Sequence, residues 1–138
     1  MERVNGDELS MSSDYVYSWR GRPFSGIGYE KDSQGRLVGE ITYLDGAQHG
    51  PTRIWFPESG ELRSETHYRH NSRHGLQREW YKGSEGEALK SETEYEYGIV
   101  VRSRSWDLDG ELAEDYVLTP DNPQYQTLEL LRQRHAAD

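Results

Sequence analysis

The sequence predicts an all-β fold, an elongated antiparallel meander of repeated β-hairpins followed by a short C-terminal α-helix. Three observations carry that prediction. Short segments rich in aromatic and β-branched residues follow one another roughly every 12 residues, too closely for a crossover helix between them. A motif of Gly, Leu, Glu and Tyr recurs in phase along most of the chain. Near the C-terminus, one segment carries apolar residues on helical spacing.

The elements follow in order. Residues 1–14 ("MERVNGDELSMSSD") form a polar N-terminal segment, expected to be loosely held and without the apolar run of a signal peptide. Trp19 and Gly26 keep the seven-residue step that also separates Tyr43 from Gly50 and Tyr68 from Gly75, so a partial repeat begins near residue 15. Repeats then fill residues 15–118. Their anchors are Leu37, Leu62, Leu89 and Leu112, with steps of 25, 27 and 23. Three residues after each anchor stands an acid: Glu40, Glu65, Glu92 and Asp115. Six after stand Tyr43, Tyr68 and Tyr95, with Leu118 breaking the pattern. Arg102 takes the glycine position in the decaying last copy, and Trp55, Trp80 and Trp106 recur at steps of 25 and 26.

Each unit holds two strand-like segments. The first is "TRIWF", "QREWY" or "RSRSW", and the second is "LVGEITY", "LRSETHY" or "LKSETEY". Turns such as "LDGAQHG" and "PESG" suit tight reversal at Gly. Alternation along a strand puts Leu62, Thr66 and Tyr68 on one face and Glu65 on the other, and likewise in the neighbouring units. Arg53 and Trp55, Arg78 and Trp80, and Arg104 and Trp106 share faces in the first strands. If the register sets these arginines beside Glu40, Glu65 and Glu92, a cross-strand charge ladder forms, each exposed pair contributing about 0.2–1 kcal/mol. Residues 119–138 are a linker and helix: "YQTLELLRQRHAA" follows the breaker "TPDNP", with Leu128, Leu131 and the stem of Arg132 on one stripe. That helix is expected to cap the last hairpin and cover an open sheet edge.

Composition narrows the function. Apolar residues are 33% and aromatics 12%, with ten Tyr and four Trp, which indicates a thin core built on amphipathic rings. The formal charge of −9 argues against direct binding to nucleic acid or to an anionic membrane and favours a basic partner. Without Cys there are no disulfides, thiolate nucleophiles or Cys-bound zinc. No stretch approaches a membrane span, so the expected address is the cytoplasm.

The units "GRLVGEITYLDGAQHGPTRIWF", "GELRSETHYRHNSRHGLQREWY", "GEALKSETEYEYGIVVRSRSW" and the truncated "GELAEDYVL" resemble the MORN-type repeat. More specifically, they resemble its variant form in bacterial antitoxin-like proteins labelled YwqK-like. The resemblance covers about residues 15–118. The third unit departs from it by an inserted Ala88 and by loss of the Gly after its turn. It implies a β-hairpin meander without enzymatic activity. It also implies, by likeness, an antitoxin or immunity protein that neutralises a toxin domain. Other MORN proteins are scaffolds or are linked to membrane lipids. The motif defines a scaffold, so no functional residue transfers with it.

Residue chemistry agrees with a binding role. His67, His70 and His74 are close in sequence but lack the spacing of a zinc knuckle, and His49 and His74 repeat in phase as expected turn residues. The column Glu40, Glu65, Glu92 and Asp115 is periodic, whereas paired catalytic carboxylates need distinct environments. No nucleophile elbow or phosphate loop is present, and no cofactor or metal is expected. Trp55, Trp80 and Trp106 either pack the sheet or offer an aromatic hot spot to a partner. Glu85 and Glu87 cluster late in the chain with Glu92, Glu94, Glu96, Asp107, Asp109, Glu111, Glu114 and Asp115. They form either a solvated face or an acidic patch matched to the basic cleft of a nucleic-acid-acting toxin such as a nuclease or deaminase.

Overall fold

A computed structural model describes residues 2–136. The predicted run of the helix to Ala137 lies outside the described residues. The chain is mostly β, with one large mixed sheet, a small second sheet and one short C-terminal helix. The strands are β1 (Glu2–Asn5), β2 (Ser10–Met11), β3 (Tyr17–Trp19), β4 (Arg22–Pro23), β5 (Gly26–Lys31), β6 (Leu37–Leu44) and β7 (Ala47–Trp55). They continue with β8 (Leu62–Arg69), β9 (Ser72–Trp80), β10 (Leu89–Glu96), β11 (Ile99–Trp106) and β12 (Leu112–Val117), and the helix α1 spans Pro123–Arg134. The large sheet has nine strands in the order β1-β5-β6-β7-β8-β9-β10-β11-β12, and β2-β3-β4 form the small one. From β5 onward each strand pairs antiparallel with its successor, while β1 pairs parallel with β5.

The register builds the charge ladder. Glu40 pairs with Arg53, Arg53 with Glu65 and Glu65 with Arg78. Arg78 then pairs with Glu92, Glu92 with Arg104 and Arg104 with Asp115. Directly opposed residues share a face, so alternating charge runs straight across the sheet. Within it, Arg53 donates to Glu65, Arg78 to Glu92 and Arg104 to Glu92, each at 2.8 Å. The other face carries a parallel row of small polar residues, Thr52, Thr66, Gln77, Thr93 and Ser103.

Glycine has a different role from the one its spacing suggests. Gly26 stands opposite Tyr43, Gly50 opposite Tyr68 and Gly75 opposite Tyr95, so each tyrosine faces the glycine of the preceding strand. Around Gly50 the pairing moves from Ile41–Thr52 to Tyr43–Gln48, a bulge on β7, and the same happens around Gly75 on β9. Gly50 and Gly75 have φ of 105° and 100°, which favours Gly over a residue with a Cβ. In the last copy Arg102 pairs with Val117, and the Leu118 N–H bonds the Val101 carbonyl. Counted from the ladder, Val101 therefore occupies the glycine position assigned above to Arg102, because β11 is one residue shorter.

Three further expectations are corrected. "LDGAQHG" is not all turn. Asp45 and Gly46 both have positive φ, as do His70–Asn71 and Tyr97–Gly98, so two-residue reversals suffice and the strand restarts at once. Leu62 does not continue the Thr66 row: a bulge between Ile54 and Trp55 sets Leu62 opposite Trp55, as Leu89 is opposite Trp80 and Leu112 opposite Trp106. The N-terminal segment is not loose. It supplies β1, a 3-10 turn at Gly6–Glu8 and β2, and Val4 is 5% exposed.

Val4, Phe24 and Tyr43 form the main core, with Leu9, Tyr17, Trp19 and Ile41 packed against it. The Tyr43 ring lies 4.9 Å from Tyr17 and 5.6 Å from Phe24. Burial pushes its phenol up to about 12. Leu118 and Leu128 are buried at the other end of the chain. Asn122 caps α1 through the Gln124 N–H at 2.9 Å, and Pro123 begins the helix. Arg132 fixes α1 to Glu96 of β10 at 2.6 Å, and Leu131 and His135 lie by Arg69, His70, Ser72 and Tyr97. The helix thus docks on the tight-turn end. All six residues of β12 remain exposed, so the expected covering of that edge is not made.

Candidate partner-binding end of the sheet

The two ends of the sheet differ. Two-residue reversals lie at one end, and the longer connections β7–β8, β9–β10 and β11–β12 lie at the other. The three Trp–Leu pairs line this long-loop end. Trp55, Trp80 and Trp106 are half-buried, and Arg104 lies over the Trp106 ring at 5.5 Å.

Local hydrogen bonds hold the loops. Glu61 accepts from the Gly83 N–H at 3.1 Å and the Glu85 N–H at 2.6 Å, tying the β9–β10 loop to the preceding hairpin. The Tyr81 hydroxyl donates to the Trp106 carbonyl at 2.8 Å. Asp107 accepts from the Asp109 and Glu111 N–H groups at 3.0 and 2.9 Å and closes the β11–β12 turn. A cleft of about 370 Å³ results, lined by Glu87, Leu89, Trp106, Asp107, Leu108 and Asp109. Leu108 stands at its rim, 79% exposed.

The late acids divide into two groups. Glu92 takes hydrogen bonds from Arg78 and Arg104, which hold its carboxyl below the usual range. Glu96 is lowered likewise by Arg132. Glu94 is exposed and pairs with Arg102 across the strands, and Asp115 ends the ladder 3.8 Å from Arg102. Glu85, Glu87, Asp109, Glu111 and Glu114 are exposed, and among the described residues none forms an ion pair. The structure therefore brings Trp106, Asp107, Asp109 and Glu111 together, with Glu114 on the adjoining strand. It leaves Trp55 and Trp80 on other hairpins and assigns Glu92 and Glu96 to internal arginines.

One feature of the tight-turn end is absent from the sequence reading. The bulges aim His49 and His74 at the next reversal instead of placing them in turns. His49 Nδ1 accepts from the His70 N–H at 3.4 Å, and His74 Nδ1 accepts from the Tyr97 N–H at 3.0 Å. Their rings pack on His70 and Tyr97 at 5.0 and 4.8 Å. Burial, and then the charge of Arg69, push the His74 pKa down, in keeping with a neutral ring that accepts at Nδ1. His67 Nδ1 sits 2.9 Å from the Leu76 carbonyl. The signal was a His-Gly pair at the same spacing beyond the first two reversals, His49–Gly50 and His74–Gly75. Among the described residues no cluster of three or more His, Asp or Glu is placed to hold a metal. No helix among them is long and apolar enough to cross a membrane.

No family model matches the chain, and no curated protein matches it.

Proposed function

We propose that the chain is an immunity protein or antitoxin on a MORN-like hairpin scaffold, acting in the cytoplasm by occluding the active site of a cognate bacterial toxin. The favoured target is a toxin acting on nucleic acid, a nuclease or deaminase, since such enzymes need Lys and Arg to hold phosphates. One observation carries the reading. The inner acids are neutralised by the ladder, whereas exposed Glu87, Asp107 and Asp109 line the Trp106 cleft, with Glu111 beside them in the same turn. An aromatic floor with an acidic rim suits a basic protein surface and speeds its capture. The test is to co-express the product of the neighbouring gene. Toxicity relieved by a stable complex supports the reading, and a harmless neighbour or rescue without binding contradicts it.

A second reading is a scaffold for more than one partner. The apolar groove of about 570 Å³ over the two bulges, lined by His49, Gly50, His67, Tyr68, His74 and Gly75, favours it. A scaffold binds its partner unchanged after the Trp106 acids are neutralised, whereas an immunity protein binds it more slowly and more weakly.

A further inference from the structure

The charge ladder ends differently at the two edges of the sheet. At the β1 edge Arg3 reaches over β5 to Glu40 and lies above the Tyr29 ring, so the first acid of the ladder is covered by a cation. At the β12 edge the last member is an acid, Asp115, with arginine on its inner side alone. Each inner acid of the ladder has arginine or tyrosine on both neighbouring strands: Glu40 between Tyr29 and Arg53, Glu65 between Arg53 and Arg78, and Glu92 between Arg78 and Arg104.

The backbone of β12 is equally incomplete. The Leu118 N–H points inward to the Val101 carbonyl. Strand alternation then turns the N–H and C=O of Val117 and Asp115 outward, away from β11. All six residues of β12 are exposed, Val117 at 52% and Leu112 at 53%. Asp115 and Val117 share the ladder face, so a strand added here meets an acid and, two residues on, an aliphatic side chain.

We infer that β12 is a docking edge that takes an extended segment of a basic partner as a tenth strand, with Lys or Arg opposite Asp115 and an apolar residue opposite Val117. The inference rests on the partner-binding reading above and supplies its docking mode. Main-chain hydrogen bonds provide the attachment, and the open end of the ladder selects the charge. A second copy of this chain is disfavoured where an antiparallel β12–β12 pairing centres on Glu114 or Asp115, since acid then faces acid.

Two peptides of alternating Thr and Val, identical but for Arg or Glu at the centre, are titrated into the ¹⁵N-labelled full chain. The expected result is slowed amide exchange at Asp115 and Val117 with the Arg peptide, and binding at least about tenfold tighter than for the Glu peptide. Val117→Pro, which removes an outward N–H, abolishes binding and is tolerated at an edge. Asp115→Lys reverses the preference and keeps the proposal testable if the proline variant fails to fold. Equal binding of the two peptides, shifts away from β12, or dimerisation through β12 overturns it. The toxin complex separates the two readings. A complex that survives Val117→Pro with β12 amides still exchanging removes the docking edge and leaves the immunity function. Peptide capture at β12 without any toxic neighbour does the reverse.

Discussion

The N-terminal end of the molecule and its β7–β12 half are held together by different physics. At the N-terminal end Val4, Phe24 and Tyr43 are buried under a second small sheet, and close packing sets the geometry. In the β7–β12 half no strand residue is fully buried; rows of Arg–Glu and Trp–Leu pairs span the strands instead. A sheet can therefore be specified by cross-strand partners where it lacks a core. The consequence is many small contributions instead of a few large ones, and exposed surface left over for binding.

The largest expected effect lies at the packed end. Phe24→Ala empties the core site and costs about 3–5 kcal/mol, read as a fall in the urea midpoint. Gly26→Ala also destabilises strongly, because an added Cβ would run into the Glu2 carbonyl oxygen and φ is 145°. Ile54→Ala, an exposed change in the other half, stays within about 0.5 kcal/mol. Equal losses for Phe24→Ala and Ile54→Ala erase the contrast between the two regions.

The ladder comes next. Glu92→Ala leaves Arg78 and Arg104 without their shared acceptor, and two pairs of this kind contribute about 1 kcal/mol together. A double-mutant cycle with Arg78 checks the coupling. The pH dependence sharpens this point. Glu92 and Glu96 have folded pKa values below the ordinary glutamate value of 4.5. Their contribution is complete above 4.5 and is lost as pH falls below it towards the folded values. Unfolding followed from neutral to acid pH should weaken over that range, and less so in Glu92→Gln.

The smallest effects belong to two latches, the His74 contact with the Tyr97 N–H and the Arg132–Glu96 pair that holds α1. The His74 pKa is lowered from 6.5, so this latch stabilises above 6.5 and weakens as pH falls below it. His74→Ala removes that dependence, which is visible as faster exchange of the Tyr97 amide. Arg132→Ala costs roughly 0.5 kcal/mol, a value typical of exposed pairs, and frays α1 before the sheet.

Much of this division was legible in the sequence. Period-two alternation combined with a repeat of about 25 residues brought Glu65, Arg78 and Glu92 into a row, because both periods act on the same backbone. Helical spacing after the breaker "TPDNP" marked α1, although the helix begins inside that breaker, at Pro123. The bulges were not legible. One extra residue near Trp55 or Gly50 breaks the alternation, and only the pairing reveals which residue it is. The core was also hidden, since Val4 and Phe24 lie outside the repeat columns and β1 joins by a parallel pairing that no local pattern announces. At the candidate site the acids could be seen, but their partition could not. Whether Glu92 or Asp109 is free depends on which arginine the fold brings beside it.

If the sheet neutralises its inner charge and leaves the Trp106 end acidic for a basic partner, the charge at that end sets the rate of capture. The most direct test is the association rate of the co-purified partner at low and high salt, for the wild type, for Asp109→Asn/Glu111→Gln/Glu114→Gln and for Glu92→Gln. The expected low-salt rate is about tenfold slower for the triple variant, with most of the salt dependence gone and little change for Glu92→Gln. Equal rates for the wild type and the triple variant contradict it.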